Sequence, residues 1–148
     1  MLCHMLPKFE TDGNLPIGIH WATWPEFETR FGTNGHRKEL LAGMKNALLS
    51  LQRAGCKAVY VNGSFVTAKK IPGDFDACWD PNGVDLRQLD PLLTDSQDFQ
   101  NERKKQKMKF RGEFFPNILV NQSFLEFFQG VRGGGRKGIV GIRLGDLI

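Results

Sequence analysis

The sequence predicts an α/β fold, a small mixed sheet flanked by helices. Residues 35–53 carry one apolar stripe at helical spacing, and the β-rich residues 57–61 follow at once. Residues 74–79 alternate polar and apolar side chains, which predicts a second short strand. A chain of 148 residues suits one domain, so we expect a single domain in which residues 1–18 form an extended arm.

The first helix is predicted after this arm. Thr23 can cap it, Glu26 three residues later can bond back to the cap, and Pro25 falls in the first turn. Gly32 then ends a short helix near Phe31.

The second helix is predicted from Gly35 to Arg53. Thr33 or Asn34 is the candidate cap. Gly55 is suited to the left-handed conformation that commonly follows a helix. The apolar stripe consists of Leu40, Leu41, Met44, Leu48 and Leu51.

Later elements are predicted from shorter patterns. Lys107 to Phe115 is interpreted as a third strand, and Phe124 to Phe128 as a short apolar helix. Gly133 to Gly135 predicts a flexible loop, with the basic residues around it as a weak phosphate-binding candidate. Residues 139–144 are interpreted as the last strand.

The composition argues against several classes of protein and indicates one kind of partner. The three cysteines are widely spaced, which fits neither a disulfide framework nor a zinc site, so we expect reduced thiols. No apolar run approaches the length of a membrane span, and the start lacks a signal-peptide pattern, so we expect a cytoplasmic chain without membrane contact. Ten of the 20 basic residues but only four of the 16 acidic ones lie in residues 101–148, which favours a polyanionic partner.

Asp74 and Asp76 are the candidate metal ligands. One residue separates them, so on a strand both carboxylates project from the same face. Two adjacent carboxylates repel each other unless a cation lies between them, and Mg²⁺ or Mn²⁺ prefers oxygen ligands. The pair also fits an ordinary turn of acidic residues, and the segment upstream decides between these interpretations.

The segment upstream is a candidate phosphate site. Gly63 and Ser64 end the preceding strand, where glycine lets the backbone approach a phosphate closely. Thr67 offers a hydroxyl and Lys69 a positive charge, although such lysines also occur in solvated loops. Phosphate and metal ligands in one strand–turn–strand unit predict the binding of a nucleoside triphosphate.

The segment from Gly63 to Asp76 resembles the signature of the DNA polymerase beta-like nucleotidyltransferase superfamily, in which Gly-Ser, a spacer and Asp-x-Asp follow one another. More broadly, the chain is similar to a small uncharacterised bacterial family assigned to that superfamily. Residues 15–24, Leu-Pro-x-Gly-Ile-His-x-x-Thr-Trp, and residues 137–140, Lys-Gly-Ile-Val, carry the broader similarity.

The resemblance implies a third carboxylate on a neighbouring strand. Glu113 is the first candidate, and Glu126 is the second. If the Glu113 strand lies antiparallel beside the Asp74–Trp79 strand, we expect Glu113 to face the two aspartates.

The resemblance also implies a function. Asp74, Asp76 and Glu113 would be catalytic and bind Mg²⁺ or Mn²⁺, while Gly63, Ser64, Thr67 and Lys69 would bind the triphosphate. A nucleotidyl group would pass to RNA or to a protein hydroxyl. The charge of the basic run Arg103–Arg111 fits either a solvated face or a surface that binds RNA or a nucleotide. Small members of the superfamily are often toxin–antitoxin components, which implies a cognate antitoxin partner. The alternative is a catalytically silent module that binds RNA or a partner protein, since the chain has little room for a substrate domain.

Overall fold

The computed structural model describes residues 6–117 and 137–147, apart from the side chains of Ser96 and Asp146. Within these ranges five strands form one mixed sheet in the order β1-β5-β2-β3-β4, which confirms the predicted α/β class. The strands are β1 (Ile19–Ala22), β2 (Ala58–Asn62), β3 (Asp76–Trp79), β4 (Glu113–Pro116) and β5 (Ile139–Arg143). The α-helices are α1 (Trp24–Phe31), α2 (Gly35–Arg53), α3 (Ser96–Gln100) and α4 (Lys104–Phe110), and single 3₁₀ turns occupy Ser64–Val66, Leu86–Gln88, Pro91–Leu93 and Leu144–Asp146.

The first two helices have the predicted bounds. The Thr23 hydroxyl accepts a hydrogen bond from the backbone N–H of Glu26, so α1 starts as the sequence indicated. Asn34 is the cap of α2, because its side chain accepts from the backbone N–H of Arg37 at 2.8 Å. Gly55 has a φ of +94°, the left-handed conformation expected after the helix.

One face of the sheet carries the main core. The apolar stripe of α2 packs there with the inward residues of β2, β3 and β5, and α1 adds Trp24 and Phe27 to the same cluster. The opposite face carries a smaller cluster, in which Cys78 and Ile139 are fully buried. Cys56 and Cys78 are free buried thiols, as predicted.

Residues 6–18, the described part of the predicted arm, pack against the rest of the domain. Leu6 and Leu15 are buried in the main core, and the backbone carbonyl of Gly13 accepts from the N–H of Ala68 at 2.8 Å. Strand β1 follows directly and pairs in parallel with β5, an element that the sequence pattern did not predict.

The predicted strand from Lys107 to Phe115 is wrong in its first part, because residues 107–110 belong to α4 and the strand begins only at Glu113. The buried carboxylate of Asp98 accepts from the backbone N–H groups of Lys105 and Gln106, so a residue from α3 caps α4. Arg111 then adopts a left-handed conformation with a φ of +68°, which ends the helix before β4 begins at Glu113. A cap supplied from outside the helix hides its start from local sequence patterns.

The antiparallel pairing that was considered for the Glu113 strand is not formed. Strand β4 lies parallel to β3 rather than antiparallel, because α3 and α4 form a crossover that returns the chain to the same end of the sheet. Strand β3 begins at Asp76 instead of Asp74. The predictions for Phe124–Phe128, Gly133–Gly135 and Glu126 concern residues outside the described ranges.

Helices α2 and α4 meet at Gly43. A Cβ on Gly43 would lie 2.4 Å from the backbone oxygen of Phe110, so any side chain there separates the helices. We expect Gly43→Ala to lower the free energy of unfolding by about 1–3 kcal/mol through overpacking. Urea unfolding measures this change. Gly35→Ala is the matched control, since a Cβ there meets nothing within 4 Å and alanine favours helix. Equal stability of Gly43→Ala and Gly35→Ala would contradict the close helix contact.

Candidate functional site

A row of polar side chains crosses three neighbouring strands at one end of the sheet. Asn62 of β2 is the register partner of Asp76 of β3, and Asp76 is the partner of Glu113 of β4. Register partners project to the same face, so the three side chains are neighbours. Asp74 lies two residues before Asp76, and the carboxyl-bearing residues of the row are all partly buried.

The three carboxylates form one electrostatic cluster. Burial, followed by the negative charges of Glu113 and Asp74, raises the pKa of Asp76 to about 6. Burial also raises the pKa of Asp74, and Glu113 is again the next cause. The parallel register therefore places Glu113 beside Asp76, although the sequence had suggested the opposite strand direction.

Cations of the chain itself compensate this cluster. The Lys107 ammonium lies 2.9 Å from Oε1 of Glu113, and the Arg103 guanidinium lies 4.0 Å from Oε2. The hydrogen bond to Glu113 raises the pKa of Lys107. Lys137, two residues before β5, is half-buried, and burial lowers its pKa while the Asp76 carboxylate opposes that shift.

The sequence placed Lys107 in the basic run and Lys137 in a weak phosphate-binding candidate, but it did not place either lysine beside the carboxylates. Lys107 precedes Glu113 by six residues, and only the left-handed turn at Arg111 folds the helix back onto the strand. Lys137 reaches the cluster because β5 lies beside β2, which no local pattern indicates. The basic character of both segments is visible in the sequence, but it does not indicate that these lysines lie beside the carboxylates.

The three carboxylates are candidate ligands of a metal ion. Three carboxylates suit Mg²⁺ or Mn²⁺ by donor type. Within residues 6–117 and 137–147, however, no three acidic, histidine or cysteine side chains are arranged as a ligand group. Glu113 is instead paired with Lys107 and close to Arg103. The donor chemistry therefore fits the metal, whereas the observed arrangement is one in which lysines supply the positive charge.

Gly63 approaches the cluster through its backbone. Its φ of +91° favours glycine, and an added Cβ would lie 3.1 Å from Oδ2 of Asp76. Ser64 begins a 3₁₀ turn that ends at Val66, which is too short to provide the dipole of a longer helix. The feature of this loop that suits a bound phosphate is therefore the close approach of the Gly63 backbone to Asp76.

Thr67 and Lys69 belong to the same loop but are used differently from the prediction. The Thr67 hydroxyl donates to the backbone oxygen of Ser64 at 2.6 Å and accepts from the N–H of Lys69 at 3.1 Å. It is also buried, so its contacts close the loop. The Lys69 side chain is exposed, and phosphate binding by Thr67 and Lys69 stays a prediction without a contact that supports it.

Arg37 of α2 holds this loop in place. The buried guanidinium donates to the backbone oxygens of Phe65 at 2.8 Å, Thr67 at 2.9 Å and Lys69 at 3.2 Å. Asn34 adds a hydrogen bond to the oxygen of Lys70 at 2.8 Å. An arginine in the first turn of a helix opposes the helix dipole, and this unfavourable position was the sequence signal for a tertiary role.

The basic run Arg103–Arg111 is largely paired with acidic residues. Lys109 bonds to Asp90, and Arg111 lies 3.2 Å from Glu39. Lys107 and Arg103 face Glu113, as described above. Lys104 and Lys105 are exposed, so the surface offered to a polyanion is smaller than the sequence suggests.

The comparisons with known proteins place the chain in a family. A model of a family of unknown function, DUF6932, matches residues 7–143. The chain belongs to the DUF6932 family. The comparison with curated proteins found no match, and the comparison with solved structures found none either. The matched range of the DUF6932 protein contains all five described strands and the carboxylates described above.

Among the residues that the structure describes, no helix combines the length and the apolar character needed to cross a bilayer.

The raised pKa of Asp76 predicts a pH-dependent stability. The folded state binds this proton more tightly than the unfolded chain, so stability falls as the pH rises from near 3.8 through about 6. We expect Asp76→Asn to raise the free energy of unfolding at pH 7 by on the order of 2 kcal/mol. The gain should disappear below pH 3.8, where Asp76 is protonated in both states. Urea unfolding at several pH values measures it.

The exposed turn residue Asp12 provides the matched control for that experiment. Asp12→Asn should leave the pH dependence unchanged. An Asp76→Asn variant that is less stable than the parent at pH 7 would show that the carboxylate is not strained by its surroundings.

Proposed function

We propose that the DUF6932 protein is a metal-dependent nucleotidyltransferase that moves a nucleotidyl group from a nucleoside triphosphate to an acceptor, with release of pyrophosphate. One observation carries the proposal. Asp76 and Glu113 are register partners on adjacent strands, and Asp74 is electrostatically coupled to both at the same end of the sheet. The Gly63–Ser64 turn, whose motif spacing led to the proposal, lies against Asp76.

Asp74, Asp76 and Glu113 would hold Mg²⁺ or Mn²⁺, which when bound neutralises phosphate charge and orients the nucleophile. The chain itself contributes fixed positions. Backbone hydrogen bonds between β3 and β4 set the spacing of Asp76 and Glu113, and Arg37 fixes the loop that begins at Gly63. Gly63 leaves room for a phosphate beside Asp76, since any side chain would fill that space.

The acceptor is the less constrained part of the proposal. RNA is favoured by the positive charge of residues 101–148, and the exposed Lys104 and Lys105 are the basic residues available to it on α4. A protein hydroxyl is the other acceptor that the resemblance implies. Action in the cytoplasm as a toxin–antitoxin component, with a cognate antitoxin protein, belongs to the same proposal.

A catalytically silent binding module is the second candidate. The ion pair of Lys107 with Glu113 favours it, because a carboxylate neutralised by the chain itself needs no metal. The same row of polar residues would then serve to bind RNA or a partner protein. Activity measurements separate these two functions.

The experiment is a label-transfer assay. The protein is incubated with each α-labelled nucleoside triphosphate, with Mg²⁺ or Mn²⁺, and with total RNA or a protein mixture. We expect label on one acceptor class, and loss of at least about 100-fold in rate for Asp74→Asn or Asp76→Asn, since a metal ligand supplies several kcal/mol of transition-state stabilisation.

Asp12→Asn is again the matched control and should retain the full rate, because Asp12 lies in an exposed turn. Absence of transfer with every triphosphate and both acceptor classes would favour the silent binding module. Equal rates of transfer by the wild type and both aspartate variants would contradict the assignment of Asp74 and Asp76 to the active site.

A further inference from the structure

The proposed reaction requires the Lys107 side chain to change its position. Its ammonium lies 2.9 Å from Oε1 of Glu113, and the Asp74 carboxylate also acts on it. A divalent cation bound by the same carboxylates would lie a few Å from this ammonium, and like charges at that distance repel strongly. Lys107 must therefore move away from Glu113 when Glu113 binds a metal.

The two cations beside Glu113 differ in their freedom to move. The Arg103 guanidinium packs over the rings of Phe99 at 4.6 Å and Phe115 at 5.5 Å, which fixes its place. The Lys107 side chain is 39% exposed and carries its charge on a flexible four-carbon stem. Lys107 is thus the partner of Glu113 that can change position.

A triphosphate provides the alternative partner for Lys107. Its oxygens accept hydrogen bonds and carry more negative charge than one carboxylate, and an ammonium is a common ligand of phosphates. A metal bound at Asp74 and Asp76 brings the phosphates within the same cluster. Charge then remains balanced, because the metal replaces the ammonium at Glu113 and the ammonium neutralises the phosphate.

We propose that Lys107 is a triphosphate-binding residue that exchanges Glu113 for a phosphate when metal and nucleotide bind together. This inference rests on the proposed function. Lys107 thereby couples the two ligands: without a triphosphate it competes with the metal for Glu113, and with one it holds the phosphates.

The test uses Lys107→Met, which removes the charge and keeps an apolar stem. Binding of Mn²⁺ alone is followed by calorimetry, and binding of inorganic tripolyphosphate is measured at saturating Mn²⁺. We expect Mn²⁺ alone to bind about tenfold more tightly and tripolyphosphate about tenfold more weakly, since one unit charge near the site has opposite effects on the two ligands. Lys57→Met, an exposed position at the end of β2 opposite Asn62, should change neither affinity.

A second variant separates the exchange from a general charge effect. On a Glu113→Gln background, Lys107→Met should tighten Mn²⁺ binding less than it does in the wild type, because the competition for Glu113 is gone and only the direct repulsion remains. Equal tightening on both backgrounds, or shifts of both affinities in the same direction, would overturn the inference. If the wild type binds both ligands and Lys107→Met changes neither, the inference fails while the proposed function stands. If the wild type binds neither ligand, both fail.

Discussion

The parallel pairing of β3 with β4 is the constraint on which the site depends. It fixes Asp76 opposite Glu113, and the N–H of Glu113 extends the ladder by donating to the oxygen of Phe75 at 3.0 Å. Gly112 makes this approach possible, because a Cβ there would lie 2.5 Å from the Phe75 ring. Carboxylates that would separate in solution are thus held together by the backbone.

Holding like charges together has an energetic consequence. Burial and mutual repulsion both disfavour the ionised form of Asp76, so the folded chain gains from any positive charge placed beside it. Lys107 and Lys137 supply such charge from two distant parts of the sequence. A site with this composition is suited to binding a cation and, through its lysines, an anion. That combination is what a metal–triphosphate complex presents.

The sequence predicted those elements that are defined by residues within or next to them in the chain. The bounds of α2 follow from the Asn34 cap, the apolar stripe and Gly55, and the strand before Gly63 follows from its β-branched residues. Helix α4 was missed because Asp98, a residue of another helix, caps it. The direction of β4 could not be predicted, since it depends on that helix. Membership in DUF6932 adds no activity from which the site could be inferred.

A crystal structure with Mn²⁺ and a non-hydrolysable nucleoside triphosphate tests the central claim most directly. We expect a metal bound by Asp74, Asp76 and Glu113, phosphates beside Gly63, and the Lys107 ammonium on a phosphate oxygen instead of on Glu113. A nucleotide bound elsewhere, with Lys107 still paired to Glu113 and no metal at the aspartates, would contradict it.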